Sequence, residues 1–347
     1  MRDIGKEQER ISYTSYFKRL MYLAGDIGGT KTHLGLFQQQ GNSLKLISEE
    51  RYSSKDHKSL KEIVVQFLSV HEGLLEGACF GIAGPIDNRR CKATNLPWIV
   101  DTNELEATTK TKVTLINDLE ANAYGISTLV PTDLLCLHKG EEGAKGNTAV
   151  VSPGTGLGEA GLYWDGKIHH PIACEGGHAD FAPQNELQVE LWRYLRNKLP
   201  HVSYESTLSG QGLHNIYCFL RDTKKGKEEL WLTDELKMGN LPATISKAGL
   251  SRRSPLCAQA LDIFVSICGA ATGNLALKFL ARGGVYIGGG IAPKIIEKFK
   301  DPPFLEAFFD KGRLRSLLKK IPVYVILNSK TALFGAAQCA KLHFGKN

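Results

Sequence analysis

A strand, a glycine-rich turn and a second strand follow one another twice in this chain of 347 residues. The first turn reads Asp26-Ile-Gly-Gly-Thr30 and the second reads Pro153-Gly-Thr-Gly-Leu-Gly158, each between runs of apolar residues. Such a pattern is typical of two strands joined by a tight turn. Because a chain of this length rarely folds around one core, the repetition predicts two domains that each contain one such hairpin.

Short apolar strands alternate with helical periodicity along the rest of the chain. Leu60, Ile63, Val64 and Phe67 have helical spacing within residues 58–70. This alternation predicts an α/β architecture, and the polar stretch 221–235 is expected to be a mobile connection. The other predicted helices cover 119–126, 187–199, 206–220, 259–280 and 331–342, and the other predicted strands cover 78–83, 112–116, 148–152, 159–164, 285–287 and 321–327.

The charge distribution excludes a typical nucleic-acid binder. The net charge of +7 comes from 43 basic and 36 acidic residues that are spread along the chain. Small basic clusters such as Lys224, Lys225 and Lys227 lack interleaved aromatic residues. Nucleic-acid binding favours a concentrated basic stripe, so we expect no nucleic-acid partner. A small anionic substrate such as a nucleotide is compatible with this charge.

Cysteine usage and hydropathy favour the cytoplasm. The eight cysteines include no C-x-x-C pair, which argues against a zinc knuckle or a redox motif. Cysteines in apolar runs, such as Cys268 and Cys339, are typical of a reduced compartment. No apolar stretch approaches the length of a membrane span, and residues 1–20 mix charges instead of forming a signal core. We therefore expect a cytoplasmic protein without a membrane partner, with residues 1–20 as an N-terminal extension.

Both glycine turns have the chemistry to hold a polyphosphate, although an ordinary glycine-rich hairpin is the alternative for each. Their backbone N–H groups are not shielded by side chains, and Thr30 adds a hydroxyl group. Asp26, at a strand end, could hold Mg²⁺ directly or through water. Two such turns, one in each domain, suit phosphoryl transfer. The candidate phosphate-binding residues are Gly28, Gly29, Thr30, Gly154, Thr155 and Gly156.

Other motifs supply candidate base, sugar-binding and nucleotide-binding groups. Asn117-Asp118 ends a predicted strand, where Asp118 could accept a hydroxyl proton; a helix N-cap is the structural alternative. Glu175 and His178 flank a Gly-Gly turn and could bind vicinal hydroxyls, or form half of a metal site. Glu205 could accept a further hydroxyl or only favour a helix dipole. Gly288, Gly289 and Gly290 follow a strand and could lie against adenosine or a phosphate, and no dinucleotide fingerprint follows the first strand.

Taken in order, these motifs resemble the bacterial-type glucokinases of the actin/hexokinase/Hsp70 ATPase superfamily. The resemblance runs from about residue 22 to residue 342. It rests on Asp26-Ile-Gly-Gly-Thr30, Ile116-Asn-Asp118, Pro153-Gly-Thr-Gly-Leu-Gly158, Glu175-Gly-Gly-His-Ala-Asp-Phe-Ala-Pro183, Glu205 with Leu208-Ser-Gly210, and Gly288-Gly-Gly290.

The resemblance implies a two-lobed, actin-like (ribonuclease H-like) α/β fold with a cleft between the lobes. The small lobe is expected at 21–128, completed by a C-terminal helix at about 328–347, and the large lobe at 129–327. Relatives often form dimers, so a homodimer is an expectation. The resemblance implies that Asp118 is the catalytic base. It implies that glucose is bound by Asn117, Asp118, Glu175, His178 and Glu205, with Asn95 as a looser match. The implied ATP-binding loops are residues 28–30, 154–156 and 288–290.

Two departures from related patterns qualify the resemblance. Lys31 stands where many bacterial relatives carry Asn, so the edge of the first phosphate loop differs. The related sugar-kinase and repressor family has a cysteine-rich zinc signature after its Glu-x-Gly-His motif. Here Ala179-Asp-Phe-Ala-Pro183 follows instead, which weakens that reading and removes the zinc.

The resemblance implies transfer of the γ-phosphoryl group of ATP to the 6-hydroxyl of glucose, with Mg²⁺ neutralising phosphate charge. One alternative is a kinase for another hexose, such as mannose or N-acetylglucosamine. Another is a non-catalytic sugar-sensing regulator, which would usually carry a DNA-binding helix-turn-helix. A third, an actin-like filament or chaperone ATPase, would need the phosphate turns but not Glu175, His178 and Glu205.

Overall fold

The computed structural model describes residues 21–71 and 73–345, which form two compact units. Unit 1 consists of the described residues up to Thr128 together with those from Lys330 onward, and unit 2 runs from Leu129 to Ser329. The expected extension, residues 1–20, lies outside the described residues. The assignment of functional lobes made from the sequence stays a prediction.

Unit 1 is built on a five-stranded sheet in which a hairpin meander is extended by two parallel strands. Strand β1 is antiparallel to β2, and β2 to β3, whereas β1, β4 and β8 are parallel, so the order is β3-β2-β1-β4-β8. Strands β5 to β7 form a separate small sheet. The strands are β1 (Met21–Ile27), β2 (Lys31–Gln40), β3 (Ser43–Ser53), β4 (Leu75–Ile82), β5 (Ile86–Asp87), β6 (Arg90–Lys92), β7 (Ile99–Asp101) and β8 (Val113–Asn117); the helices are α1 (Leu60–Ser69), α2 (Thr102–Thr109), α3 (Asp118–Ile126) and α12 (Thr331–Phe344).

Helices cover both faces of this sheet because its strands are apolar on both sides. In β1, Leu23 and Ile27 belong to a core with α1, whereas Tyr22 and Ala24 belong to a core with α12. The parallel register pairs Ile27 with Ile82 and Ile82 with Asn117. The carboxyl ends of β1, β4 and β8 therefore meet at one edge of the sheet.

Two glycines allow α3 and α12 to pack closely. A Cβ atom added at Gly335 of α12 would overlap the carbonyl oxygen of Ala121, and one added at Gly125 of α3 would overlap that of Thr331. Small residues therefore let the two helix backbones approach. Since α3 begins at Asp118, this contact helps to fix the end of the helix that carries that residue.

Unit 2 repeats the strand pattern of unit 1 in a six-stranded sheet. Its order, β12-β11-β10-β13-β14-β9, again has an antiparallel meander followed by two parallel strands, with one added antiparallel strand at the edge. The predicted α/β class is confirmed. The strands are β9 (Leu134–His138), β10 (Thr148–Pro153), β11 (Leu157–Trp164), β12 (His169–Ala173), β13 (Gly284–Ile287) and β14 (Val323–Ile326); the helices are α4 (Glu186–Arg196), α5 (Gly210–Asp222), α6 (Leu230–Met238), α7 (Leu241–Leu250), α8 (Pro255–Phe279), α9 (Ile296–Lys300), α10 (Pro302–Phe309) and α11 (Arg315–Leu318).

Two expectations about unit 2 need correction. The polar stretch 221–235 is not a connection throughout, because α6 begins at Leu230 and buries Leu232 in the core. One apolar segment does reach the length of a membrane span: α8 is long and apolar enough by length and composition. Most of that helix is buried inside unit 2, where its apolar side chains form the centre of the core, as in the central helix of a globular domain.

Candidate active site

The turn at residues 28–30 of unit 1 is closed by hydrogen bonds from both sides. Gly28 N donates to Lys31 O over 2.9 Å. The buried Ser54 makes two further hydrogen bonds to the turn. Its Oγ donates to Gly28 O over 2.8 Å, and its N–H donates to Thr30 O over 3.0 Å. Sequence reasoning missed Ser54, because nothing near a lone serine indicates which distant turn it will contact.

Asn95 lies against the same turn. A Cβ atom added at Gly29 would overlap the Cβ of Asn95, so only glycine allows this approach. The Asn95 side chain is exposed and makes no hydrogen bond within the described residues. The structure thus places this loosely matched candidate directly beside the 28–30 turn.

Two carboxylates, Asp26 and Asp118, lie at the carboxyl edge of the unit 1 sheet, near enough for the charge of Asp118 to raise the pKa of Asp26. Asp26 is half-buried at the end of β1, and Asp118 is half-buried at the start of α3. Burial, together with the smaller effect of the negative charge of Asp118, raises the pKa of Asp26 to about 6. The ionised form of Asp26 is therefore unfavourable at this edge until a cation or donor compensates it.

Asn117 caps α3, so the structural alternative for this residue is confirmed. Its Oδ1 accepts a hydrogen bond from Leu119 N at 2.8 Å, and Glu120 completes the capping box. The N–H of Leu119 also donates to Asp118 Oδ1 at 2.9 Å. Capping uses the oxygen of the Asn117 amide group, and its Nδ2 donates to no described residue. The cap therefore leaves that nitrogen able to donate to a ligand.

The two predicted nucleotide loops of unit 2 lie against each other. Gly154 N donates to Gly156 O over 2.8 Å, which closes the first turn. The second loop begins where Gly288 N donates to Val151 O over 2.8 Å. Gly289 has a φ of +76°, and an added Cβ would overlap Pro153 O, so glycine is required there. Parallel pairing of β10 with β13 brings the two loops together.

A cavity of about 1020 Å³ opens beside these two loops. Its wall includes Lys247 of α7 and Lys294, both exposed, and neither forms an ion pair within the described residues. The sequence analysis did not predict the short helix α7, which forms this part of the wall. The lining residues are Gly154, Thr155, Gly210, Gln211, Asn240, Pro242, Ala243, Ser246, Lys247, Leu250, Ser251, Gly290, Ile291, Lys294 and Ile295.

The segment 175–178 forms a tight turn over β11. His178 N donates to Glu175 O over 3.0 Å, and both side chains are exposed. A Cβ atom added at Gly177 would overlap the carbonyl oxygen of Leu157. The two glycines therefore let the turn lie directly on the strand while it presents an acceptor and a ring nitrogen to solvent.

Glu205 connects the 154–156 turn to the 175–178 turn. Its Oε2 accepts from Leu157 N at 2.8 Å, and its own N–H donates to Gly177 O over 2.9 Å. A Cβ atom added at Gly156 would overlap the same Oε2. One carboxylate oxygen is thus committed to the protein backbone, and Oε1 is the atom left for a ligand.

The sequence candidates therefore form one group in each unit. Unit 1 brings together Asp26, Gly28, Gly29, Thr30, Asn95, Asn117 and Asp118. Unit 2 brings together Gly154, Thr155, Gly156, Glu175, His178, Glu205 and the 288–290 loop. No cluster of three or more His, Cys, Asp or Glu residues that could hold a metal ion occurs within residues 21–71 and 73–345, so Glu175 and His178 have no further ligands for a metal there.

Comparisons with known proteins give one consistent result. The glucokinase family profile matches residues 23–343. A glucokinase of Nostoc sp. is 44% identical over 338 residues, which cover 92% of this chain and 98% of the relative. The crystal structure of a glucokinase from an Antarctic psychrotroph has a TM-score of 0.82 at 29% identity, covering 93% of this chain and 99% of that one. A ROK family glucokinase from Streptomyces griseus, solved with glucose and AMPPNP, has a TM-score of 0.61 at 20% identity and covers 93% and 99% of the respective chains, a likeness of fold.

Proposed function

The chain belongs to the glucokinase family and acts as a glucokinase, and from this premise we propose that Asp118 is its catalytic base. In the proposed reaction the 6-hydroxyl of glucose attacks the γ-phosphorus of ATP while a carboxylate oxygen of Asp118 accepts the hydroxyl proton. The observation that carries this proposal is the position of Asp118, which is half-buried at the carboxyl edge of the unit 1 sheet, near enough to Asp26 to raise its pKa.

Glucose specificity is proposed to come from polar groups whose remaining hydrogen-bonding capacity suits sugar hydroxyls. Asn117 can donate through Nδ2, and Glu205 can accept through Oε1. Glu175 and His178 are exposed on the turn at residues 175–178, which we call the sugar turn. Asn95 is assigned to the same substrate. Once a sugar covers these groups, an analogue that lacks the matching hydroxyl leaves a donor or acceptor unpaired, so the site should reject it.

ATP is proposed to bind through the backbone amides of the two phosphate turns, residues 28–30 and 154–156. The 288–290 loop and the cavity beside it are assigned to adenosine, since the cavity is large enough for a nucleoside. Lys247 and Lys294 add positive charge to the wall of that cavity. Both lysines are additions to the residues that the sequence suggested.

Mg²⁺ fits the donor set of unit 1. Asp26 and Asp118 provide carboxylate oxygens, which are the ligands that Mg²⁺ prefers, and Mg²⁺ in kinases typically takes one or two carboxylates together with water and substrate phosphates. The raised pKa of Asp26 also indicates a carboxyl group whose ionised form needs a counter-charge. When bound, Mg²⁺ would neutralise charge on the phosphates. Asp26 is the residue proposed to hold it, directly or through water.

Asp118→Asn tests the base assignment. The amide keeps an oxygen that can accept from Leu119 N, so the variant should fold and bind glucose. Removing a general base typically lowers turnover roughly 10²–10⁴-fold, and we expect such a fall in kcat with little change in the KM for glucose. Asp87→Asn, at an exposed position of unit 1, is the control. Near-normal turnover by Asp118→Asn would rule out the assignment.

ADP release with and without sugar tests the reaction itself. We expect ADP release to depend on glucose, and a panel with mannose and N-acetylglucosamine to show glucose as the preferred acceptor. Equal ADP release without any sugar would instead favour an actin-like ATPase.

We also propose that the protein is a cytoplasmic homodimer that serves glycolysis, without a nucleic-acid or membrane partner. A monomer by light scattering, or membrane association in cell fractionation, would contradict this proposal.

A further inference from the structure

Glu159 of β11 is a buried acid that the proposed reaction does not use. The residue is 5% exposed. It lies on the same face of the strand as Leu157 and Gly161, which pack against the core and against Phe279 of α8. Within the described residues its carboxyl group makes no hydrogen bond and no ion pair. Buried acids without partners are uncommon because desolvation disfavours their charge.

The carboxyl group of Glu159 touches the sugar turn. A Cβ atom added at Gly176 would overlap Glu159 Oε2, so the backbone of the turn lies directly on this oxygen. The segment leading into the turn is tied to the same residue, because Cys174 Sγ donates to Glu159 O over 3.2 Å. The position of Glu175 and His178 therefore depends on the space that the Glu159 side chain occupies.

The surroundings of Glu159 favour its neutral form. Burial raises the pKa of its carboxyl group, and the positive charge of Lys278 opposes this rise only in part. Lys278 is exposed and too far away for an ion pair. The titratable and charged groups close enough to interact with Glu159 are Cys174 from the segment before the sugar turn, Tyr204 from the loop before α5, and Cys268 and Lys278 from α8.

We propose that Glu159 is a positioning residue whose protonated carboxyl group supports the sugar turn, so that release of its proton to solvent weakens glucose binding. The proposal rests on the assignment of Glu175 and His178 to glucose. An ionised carboxylate at this position would need water or a shift of the turn to be solvated. Glucose affinity should then decrease as the pH rises, while the binding of ATP and the chemistry at Asp118 are not affected through this residue.

The test compares glucose binding, measured by calorimetry without nucleotide, from pH 5, just above the ordinary pKa of a glutamate, to pH 9 in the full chain and in Glu159→Gln. We expect the dissociation constant of the unchanged protein to rise roughly fivefold or more over this range. Glu159→Gln keeps the shape of the neutral acid and cannot ionise, so its affinity should stay near the low-pH value throughout. Glu306→Gln, on an exposed position of α10 in the same unit, should retain the full pH dependence.

Each other outcome overturns the proposal in a distinguishable way. If Glu159→Gln keeps the pH dependence of the unchanged protein, another group titrates and Glu159 does not position the turn. If it binds weakly at every pH, the carboxyl group acts through something other than its proton. Both results would leave the glucokinase assignment intact. If the unchanged protein bound no glucose at any pH, both the role of Glu159 and the assignment of Glu175 and His178 to glucose would be wrong.

Discussion

At the scale of single residues, Asp26 is a carboxyl group whose charge destabilises the fold at the position where we propose that it holds Mg²⁺. Its pKa is about 6 in the folded protein, against 3.8 for an ordinary aspartate. A carboxyl group with a raised pKa binds its proton more tightly in the folded state, so the stability it contributes is present at low pH and is lost as the pH rises from about 4 to about 6. At neutral pH the ionised side chain therefore destabilises unit 1.

Asp26→Asn should stabilise the protein at pH 7 and inactivate it. The shift from 3.8 to about 6 corresponds to roughly 3 kcal/mol in the free energy of unfolding, and this gain should disappear below about pH 4, where the original acid is protonated too. Urea unfolding at the two pH values, with the exposed Asp87→Asn as control, measures the difference. A variant that is less stable at pH 7 would show that Asp26 holds the fold together instead.

Glu205 and Glu175 should respond differently to mutation, although both are assigned to glucose. Glu205 binds the backbone of both the 154–156 turn and the sugar turn, whereas Glu175 is exposed on one of them. Glu205→Ala should raise the KM for ATP and for glucose, each by roughly tenfold, because one lost hydrogen bond to a charged group is worth about 1.5–3 kcal/mol. Glu175→Gln should raise the KM for glucose alone. Steady-state kinetics with each substrate varied in turn decides, and equal effects of the two variants would contradict the structural difference.

The residues of the site were predictable from sequence where they belong to local motifs. Gly28, Gly154 and Gly288 stand in short glycine patterns that determine their own turns. Ser54 and Lys247 were not predictable, because each meets the site only through tertiary packing of a distant segment. The roles of the predicted residues stay predictions until variants are measured.

At the scale of secondary structure elements, the sequence predicted helices that are amphipathic, such as α1, or long and apolar, such as α8. The helix at 58–70 appears as α1 (Leu60–Ser69) and the helix at 259–280 as α8 (Pro255–Phe279). The helices α6 and α7 were missed; they have only 9 and 10 residues, and α6 begins within a stretch that the sequence indicated to be polar. Helix α7 folds because Asn240 caps it and Ile245 is buried against the core, which is information that only the tertiary structure supplies.

The contact between α3 and α12 should be sensitive to a single methyl group. Gly335→Ala would place a Cβ atom against the carbonyl oxygen of Ala121, and overpacking of this kind costs about 1–3 kcal/mol. Because α3 begins at Asp118, any displacement of the helix should also lower kcat. Thermal unfolding and turnover of Gly335→Ala are compared with those of Gln338→Ala, a half-buried position on the same helix. Unchanged stability would show that the helices can separate at no cost.

At the scale of the whole molecule, one strand pattern serves two units with separate cores. The order β3-β2-β1-β4-β8 in unit 1 and the order β12-β11-β10-β13-β14 in unit 2 share one pattern of strand directions, with two antiparallel pairs followed by two parallel pairs. In each unit the first hairpin turn lies at the carboxyl edge of the parallel strands, where ligands of open α/β sheets bind. The repetition of one turn in the sequence therefore predicted both candidate phosphate turns, whereas the cavity wall depends on helices that only unit 2 contains.

Each ligand should consequently protect its own set of segments from amide hydrogen exchange. AMPPNP alone should slow exchange at residues 28–30, 154–158 and 288–291, because their amides are assigned to phosphate and adenosine. Glucose alone should slow exchange in the sugar turn and around residue 205, since binding to the folded state stabilises by about 2.7 kcal/mol at a hundredfold excess over the dissociation constant. The exposed loop at residues 139–146 of unit 2 is an internal control whose exchange should not change. Amide exchange reports where each ligand restrains the backbone, whatever the rate of turnover. If glucose protected the 288–290 loop and left the sugar turn unaffected, the assignment of adenosine to that loop and of glucose to the sugar turn would therefore be wrong.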